Sequence, residues 1–327
     1  MKNMIAGFSK QLQEAIEIGK KIKLTVAPHE IKNVVISGLG GSGIGGTIVS
    51  ELVAMEISVP VQVVKGYFIP NYVDKNTLVI ISSYSGNTEE TVNCMETAIQ
   101  KNAKIVCITS GGKIAEIAKQ NQLDYIIIPG GMPPRTCLGY SFTQQFFILT
   151  FFGLLKNNFL KELENAIQLI DTNEKNIQEE AKIIAGKLKN KLPVIYSTTY
   201  NEGIAIRLRQ QLNENAKILC WHHVIPEMNH NELVGWTEKS ENLAVIIFRD
   251  KNDFARNQTR IEINKKVFEK YTSTIIEIYS KGNSLIEKAI YLIHLGDWIS
   301  YFVAEQKGVD AIEVNVINHL KAELGKL

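Results

Sequence analysis

At 327 residues, with 45% hydrophobic and 21% charged side chains, the sequence suits one large or two ordinary globular domains. A formal net charge of +2 gives no reason to expect nucleic acid or a membrane surface as a partner. The four cysteines, Cys94, Cys107, Cys137 and Cys220, are scattered without metal-ligand pairing, and three sit among apolar neighbours, which reads as buried thiols in a reducing, cytoplasmic setting.

The N-terminus, Met1-Lys2-Asn3-Met4-Ile5, leads into an amphipathic helix rather than a signal sequence, and helix is expected over 1–30, broken at Pro28. From Asn33, short apolar strands alternate with longer amphipathic helices. Val34–Ser37, Val61–Val64, Leu78–Ser82, Ile105–Thr109 and Tyr125–Ile128 read as strands. Such alternation predicts an α/β fold, a parallel sheet with helices on both faces. Residues 141–186 carry no strand signal and read as helical, apolar from Phe146 to Leu155 and then polar from Lys161 to Lys182. The apolar run is too short to cross a bilayer. The strand pattern restarts at Val194–Ser197, Ile218–Trp221, Ala244–Phe248 and Ile275–Ile278, and helical segments follow at Leu285–Gln306 and Val314–Leu324. Each half opens with strand, small-residue loop and long helix, as a duplicated domain would. The expected division is a first domain over 1–153, a helical bridge over 154–186 and a second domain over 187–327.

The stretch Ser82-Ser83-Tyr84-Ser85-Gly86-Asn87-Thr88-Glu89-Glu90-Thr91 follows the apolar strand Thr77–Ile81 and precedes helical spacing through Val92, Met95, Ala98 and Ile99. Its hydroxyls therefore sit on a strand-to-helix turn, where free N–H groups and the positive end of the helix dipole suit a phosphate. Ser83, Ser85 and Thr88 add donors without adding charge. One such residue would serve as an ordinary helix cap, but here hydroxyls recur, which favours an anion site.

The glycine-rich loop Gly38-Leu39-Gly40-Gly41-Ser42-Gly43-Ile44-Gly45-Gly46 contains GxGxxG after a strand, so dinucleotide binding is its rival reading. That reading wants an acidic residue at the end of the second strand, where Lys65 stands instead, and no GK[ST] follows to make a Walker loop. The remaining use of so many glycines is close backbone approach to a small ligand, with Gly41 and Ser42 offering N–H and hydroxyl groups. Loops after the first and third strands converge at the mouth of a parallel sheet, where open α/β sheets bind ligands.

GxGGSGxxG followed by SYSGNTEET resembles a sugar isomerase (SIS) domain, a phosphosugar-binding fold. With Pro134-Arg135, Asn213-Glu214-Asn215-Ala216-Lys217, Pro226-Glu227-Met228-Asn229-His230-Asn231-Glu232 and a closing helix with Leu320-Lys321, the chain resembles the bifunctional phosphoglucose/phosphomannose isomerase family over Val34 to Leu324. The resemblance implies two SIS-type domains, each a mainly parallel, doubly wound, flavodoxin-like sheet. It implies reversible isomerisation of glucose 6-phosphate, and of mannose 6-phosphate, to fructose 6-phosphate through an enediol(ate), with no metal or organic cofactor. It assigns the base to Glu214, ring opening to His230 with Lys321, and a place facing the active site to Arg135. The phosphate falls to Gly41, Ser42, Ser83, Ser85 and Thr88.

Such chemistry needs a base near two carbons, stabilisation of a developing oxyanion and help in opening the ring. Read without the resemblance, Asn213-Glu214-Asn215 is a polar helix end, His230 a loop histidine, Lys321 a solvated helix face and Arg135 a surface side chain beside prolines. His222 and His223 lie near without the spacing of a metal site. Because the phosphate loops and Glu214, His230 and Lys321 fall in different halves, the expected site forms between domains, in a homodimer with shared sites. In related isomerases the neighbouring subunit contributes the histidine. One departure is that Val314 or Asn315 stands where some relatives have a small hydroxyl residue, linked to accepting both C2 epimers. Asn229 and Asn231 have no assigned role. The alternatives are another phosphosugar isomerase or deaminase, or a non-catalytic phosphosugar sensor; sensors usually add a DNA-binding helix-turn-helix, of which there is no sign.

Overall fold

Runs of β-branched residues set two sheets. In the computed structural model, which describes residues 1–326, the first sheet is built from Asn33–Ser37 (β1), Val61–Val64 (β2), Thr77–Ser82 (β3), Lys104–Thr109 (β4) and Asp124–Ile127 (β5). The strands are all parallel in the order β2-β1-β3-β4-β5. All six positions of β3 are buried, as expected for a central parallel strand covered on both faces. The second sheet holds Leu192–Thr198 (β6), Trp221–Ile225 (β7), Leu243–Arg249 (β8) and Ile275–Tyr279 (β9), also parallel, in the order β7-β6-β8-β9. The doubly wound order of the first sheet thus recurs, one strand shorter, in the second.

Helices fill the remaining chain: Lys2–Ala6 (α1), Phe8–Gly19 (α2), Gly40–Val53 (α3), Glu89–Gln100 (α4), Gly112–Gln120 (α5), Leu138–Phe151 (α6), Phe159–Lys187 (α7), Glu202–Ala216 (α8), Ala255–Phe268 (α9), Leu285–Lys307 (α10) and Asn315–Leu324 (α11). The chain divides into two compact units. One, the N-terminal unit, comprises Ala6–Thr172 and Gly282–Lys288; the other, the C-terminal unit, comprises Met1–Ile5, Asn173–Lys281 and Ala289–Leu327.

In the N-terminal unit Val35, Val79, Ile81, Met95, Ile105 and Cys107 share one core, each fully buried side chain of this size stabilising by about 1.5–3 kcal/mol. Cys94, Cys107 and Cys137 are buried, and burial pushes the Cys107 thiol up to about 12. The apolar run begins on the last turns of α6 and continues past its end at Phe151, and Phe146 stacks on Phe159 with ring centroids 5.5 Å apart. In the C-terminal unit Tyr196 stacks on Phe268 at 5.1 Å, and Trp236 covers the same ring.

Three local expectations change. The first helices end at Gly19, not near residue 30, because Thr25 leaves helical geometry to bond Asp124 at the start of β5, with Lys104 on the same carboxylate at 2.6 Å. The strand expected at Ile218–Trp221 begins instead at Trp221, since residues 217–220 close the end of α8: Asn213 donates to the Ile218 carbonyl at 2.7 Å. Most of the glycine-rich loop is helix α3. A Cβ on Gly43 would lie 2.3 Å from the Gly38 carbonyl oxygen, and one on Gly46 would lie 2.7 Å from Ile36, so these two glycines let α3 pack close to β1 and the residue after it.

Candidate active site

In the N-terminal unit the strand order reverses between β1 and β3, which are hydrogen-bonded neighbours. The loops leaving their C-terminal ends therefore lie side by side, and Tyr84 N–H donates to Ser42 Oγ at 3.1 Å to tie them together. Helices α3 and α4 both begin at this end, and the first N–H groups of a helix have no acceptor within it. Ser83 Oγ donates to Thr88 Oγ1 at 3.1 Å. Thr88 occupies the cap position of α4, yet its side chain makes no capping bond, so this hydroxyl is not spent on the helix end. Ser85 is exposed and accepts from Asn87 N–H at 3.2 Å. Gly86 has a φ of 68°, and a Cβ there would fall 1.8 Å from the Gly111 carbonyl oxygen, so only glycine fits. Ser110 backs the loop by donating from both N–H and hydroxyl to the Tyr84 carbonyl, at 3.0 and 2.6 Å.

Arg135 joins the same place. A Cβ on Gly41 would lie 3.0 Å from the Pro134 carbonyl oxygen, so the 3-10 turn Pro134–Thr136 packs on the start of α3, with Arg135 buried. Gln11 of α2 fixes the turn, donating to the Thr136 carbonyl at 2.7 Å and accepting from Gly139 N–H at 2.8 Å. Tyr84 hydroxyl accepts from Met132 N–H at 3.2 Å, and burial pushes the phenol up to about 12, so it stays neutral. Glu89 and Glu90 occupy the first turn of α4, which suits its dipole but sets two negative charges near any anion held there. The structure thus gathers Gly41, Ser42, Ser83, Ser85, Thr88 and Arg135 around one end of one sheet.

Glu214, His230 and Lys321 belong to the C-terminal unit. Glu214 is half-buried in the last turn of α8. That helix is fastened to α10 at successive turns: Arg207 donates to Asp297 at 2.6 Å, Gln211 to Asp297 at 2.8 Å and Asn215 to Ser300 at 2.9 Å. His230 follows the edge strand β7 on the 3-10 turn Glu227–His230 and is exposed. Lys321 is exposed on α11, which has no buried residue. His222 lies 3.8 Å from Glu202, and His223 lies 4.0 Å from Glu232. Among the described residues no group of three or more His, Cys, Asp or Glu is gathered as a metal ion would require.

Two family models match the chain, the SIS domain over residues 29–153 and the bacterial phospho-glucose isomerase C-terminal SIS domain over residues 177–324. The bifunctional phosphoglucose/phosphomannose isomerase of Caldicellulosiruptor bescii is 39% identical over 334 residues, covering 99% of this chain and 98% of its own length. The chain belongs to the bifunctional phosphoglucose/phosphomannose isomerase family. The enzyme of the same name from Aquifex aeolicus is 38% identical over 298 residues, 90% of this chain and 91% of its own. The solved structure of a hypothetical protein from Thermus thermophilus shares the fold at a TM-score of 0.80 and 14% identity, over 99% of this chain and 90% of that one.

As a member of this bifunctional isomerase family the chain is an aldose–ketose isomerase with two SIS domains. Its geometry gives the asparagines beside His230 their place. Asn229 donates to Asn264 of α9 at 2.8 Å, and Asn231 donates to Glu227 at 3.0 Å while accepting from Glu232 N–H at 2.6 Å. Met228 between them and the sheet is fully buried. Glu232 in turn accepts from Tyr196 at 2.5 Å and Trp221 at 3.2 Å, so both flanks of His230 are pinned while its ring is left outside. Burial and the Glu232 carboxylate push the Tyr196 phenol well up, keeping it a donor. Of these partners, Asn264 and Tyr196 carry no local signal in the sequence, being brought in from α9 and β6.

Proposed function

We propose that the isomerase interconverts glucose 6-phosphate and mannose 6-phosphate with fructose 6-phosphate through an enediol(ate). The observation that carries the reading is the near-full-length match to the bifunctional isomerase of Caldicellulosiruptor bescii, together with the paired loops tied by Ser42 and Tyr84. The loops offer an anion what it needs: two helix N-termini, hydroxyls at Ser42, Ser83, Ser85 and Thr88, and a close backbone at Gly41.

In this reading Glu214 is the base that carries the proton between C1 and C2, on a helix end held still by its bonds to α10. Arg135 stabilises the enediolate charge. His230 exchanges a proton with the ring oxygen, and Lys321 polarises a sugar hydroxyl. No side chain in this set requires a metal or organic cofactor to move the proton.

The protein acts as a homodimer in the cytoplasm, and His230 of one copy serves the site of its neighbour. Supporting this, His230 and Lys321 are exposed, and α11 leaves Val316, Leu320 and Leu324 outward at four-residue spacing, 82%, 59% and 48% exposed. Sedimentation together with assay tests the assembly; a fully active monomer would refute it.

A coupled assay with glucose 6-phosphate and mannose 6-phosphate offered separately, with EDTA present, tests the activity. Turnover of both is expected. Turnover of glucose 6-phosphate alone would remove the second epimer and point to the position of Val314 and Asn315. Turnover of neither, with amino-sugar phosphate consumed instead, would replace the reading.

A further inference from the structure

We infer that Lys217 is a positioning residue, an ammonium clamp that holds the helix end bearing Glu214 against the root of the helix bearing Lys321. This rests on the roles proposed for those two residues. The geometry lies wholly within the C-terminal unit.

Lys217 follows the last residue of α8 and adopts the left-handed conformation, φ 53° and ψ 44°, donating its N–H to the carbonyls of Asn213 and Leu212. Glycine is the usual residue at such a helix end, because a side chain there is strained. A lysine in this place needs a reason, and its side chain supplies one. Nζ donates to the carbonyl oxygens of Glu214 at 2.7 Å, Asp310 at 2.6 Å and Glu313 at 2.8 Å. An ammonium has three protons, and here three backbone carbonyls receive them. The Glu214 carbonyl belongs to the last turn of α8, the negative end of its dipole, where a cation is favoured. Asp310 and Glu313 lie in the segment that joins α10 to α11.

That segment is shaped to present those carbonyls. Asp310 accepts from Ile312 N–H at 2.7 Å, and Glu313 accepts from the N–H of Asn315, the first residue of α11. Lys307, the last residue of α10, donates to the Lys217 carbonyl at 3.0 Å, closing the knot from the other side. No residue of α11 is buried, so packing against its own unit does not set the direction in which it leaves. Its root does. Lys321 lies six residues beyond Asn315, about 9 Å along the helix axis. A small swing at Glu313 is therefore enlarged at Lys321, while the same ammonium fixes the backbone of Glu214.

Lys217→Gly tests the inference, because it keeps the left-handed backbone without strain and deletes the ammonium. Lys217→Met, which keeps the stem, guards against a folding failure in either variant. The expected result is a kcat lowered about 10- to 100-fold, the range that small misplacements of reacting groups produce. KM stays within about twofold of wild type, and amide exchange is faster through 310–320. Added propylammonium should restore part of the kcat of Lys217→Gly. A wild-type kcat in both variants, or equal collapse of kcat, KM and thermal midpoint, would overturn the positioning role. Wild-type protein that turns over no hexose phosphate would instead sink the proposed activity, while unchanged exchange through 310–320 in an active variant would sink the clamp alone.

Discussion

Tyr84 gives its backbone N–H to the Ser42 hydroxyl at 3.1 Å, so the loops after β1 and β3 behave as one element. Both residues are buried, at 8% exposure each. Ser42→Ala removes the acceptor and leaves that N–H without it, at a cost of about 1–3 kcal/mol. The expected outcome is a lower thermal midpoint and a KM for hexose phosphate raised more than kcat is lowered. Steady-state kinetics beside calorimetry measures both. An unchanged KM would mean that the join does not shape the phosphate position.

Much of this site is legible from the chain alone because its signals are local. β3 is an apolar run rich in β-branched residues, and the hydroxyls follow it within six residues, so strand, turn and helix are each spelled out in order. The α8 end is different. Lys217 acts on carbonyls 93 and 96 residues away, and a carbonyl acceptor leaves no mark on side-chain identity. For the same reason the shift of β7 to Trp221 is invisible beforehand: Ile218 looks like a strand residue, but its carbonyl is taken by Asn213. Two glycines of the loop have a different use. A dense cluster suggests a ligand cradle, whereas Gly43 and Gly46 answer to Gly38 and Ile36 inside the protein.

Arg207 and Asp297 form a buried ion pair at 2.6 Å, with side chains 4% and 8% exposed. Removing one partner strands the other charge, which typically costs about 3–5 kcal/mol. Arg207→Met should lower stability by that order in denaturant unfolding, more than Asp297→Asn, which keeps the bond to Gln211 possible. A loss below about 1 kcal/mol for Arg207→Met would show that the methionine packs as well as the pair.

Glu162, beside Glu56 and the 283–286 segment in a cavity of the N-terminal unit, is held above the usual carboxylate range. Burial is the largest cause, the Glu287 and Glu56 charges add to it, and a hydrogen bond from Ser284 opposes it. A carboxyl whose folded value is raised binds its proton more tightly in the folded chain. Its contribution is therefore fully present below the unfolded value of 4.5 and is lost as pH rises through the folded value. Glu162→Gln should melt higher than wild type at about pH 7, with the gap closing towards about pH 4. A gap that does not change with pH would show that charge at Glu162 is not the cause.

Isomerisation in D2O by wild type and Glu214→Gln tests most directly the proposed transfer of the proton between C1 and C2 by Glu214. Starting from fructose 6-phosphate, wild type should yield aldose phosphate carrying solvent deuterium at C2, because a carboxyl base exchanges its proton with water. Glu214→Gln should bind the same sugar phosphate in calorimetry yet turn it over about 100-fold more slowly or worse. Wild-type turnover and deuterium incorporation by Glu214→Gln would show that Glu214 is not the base.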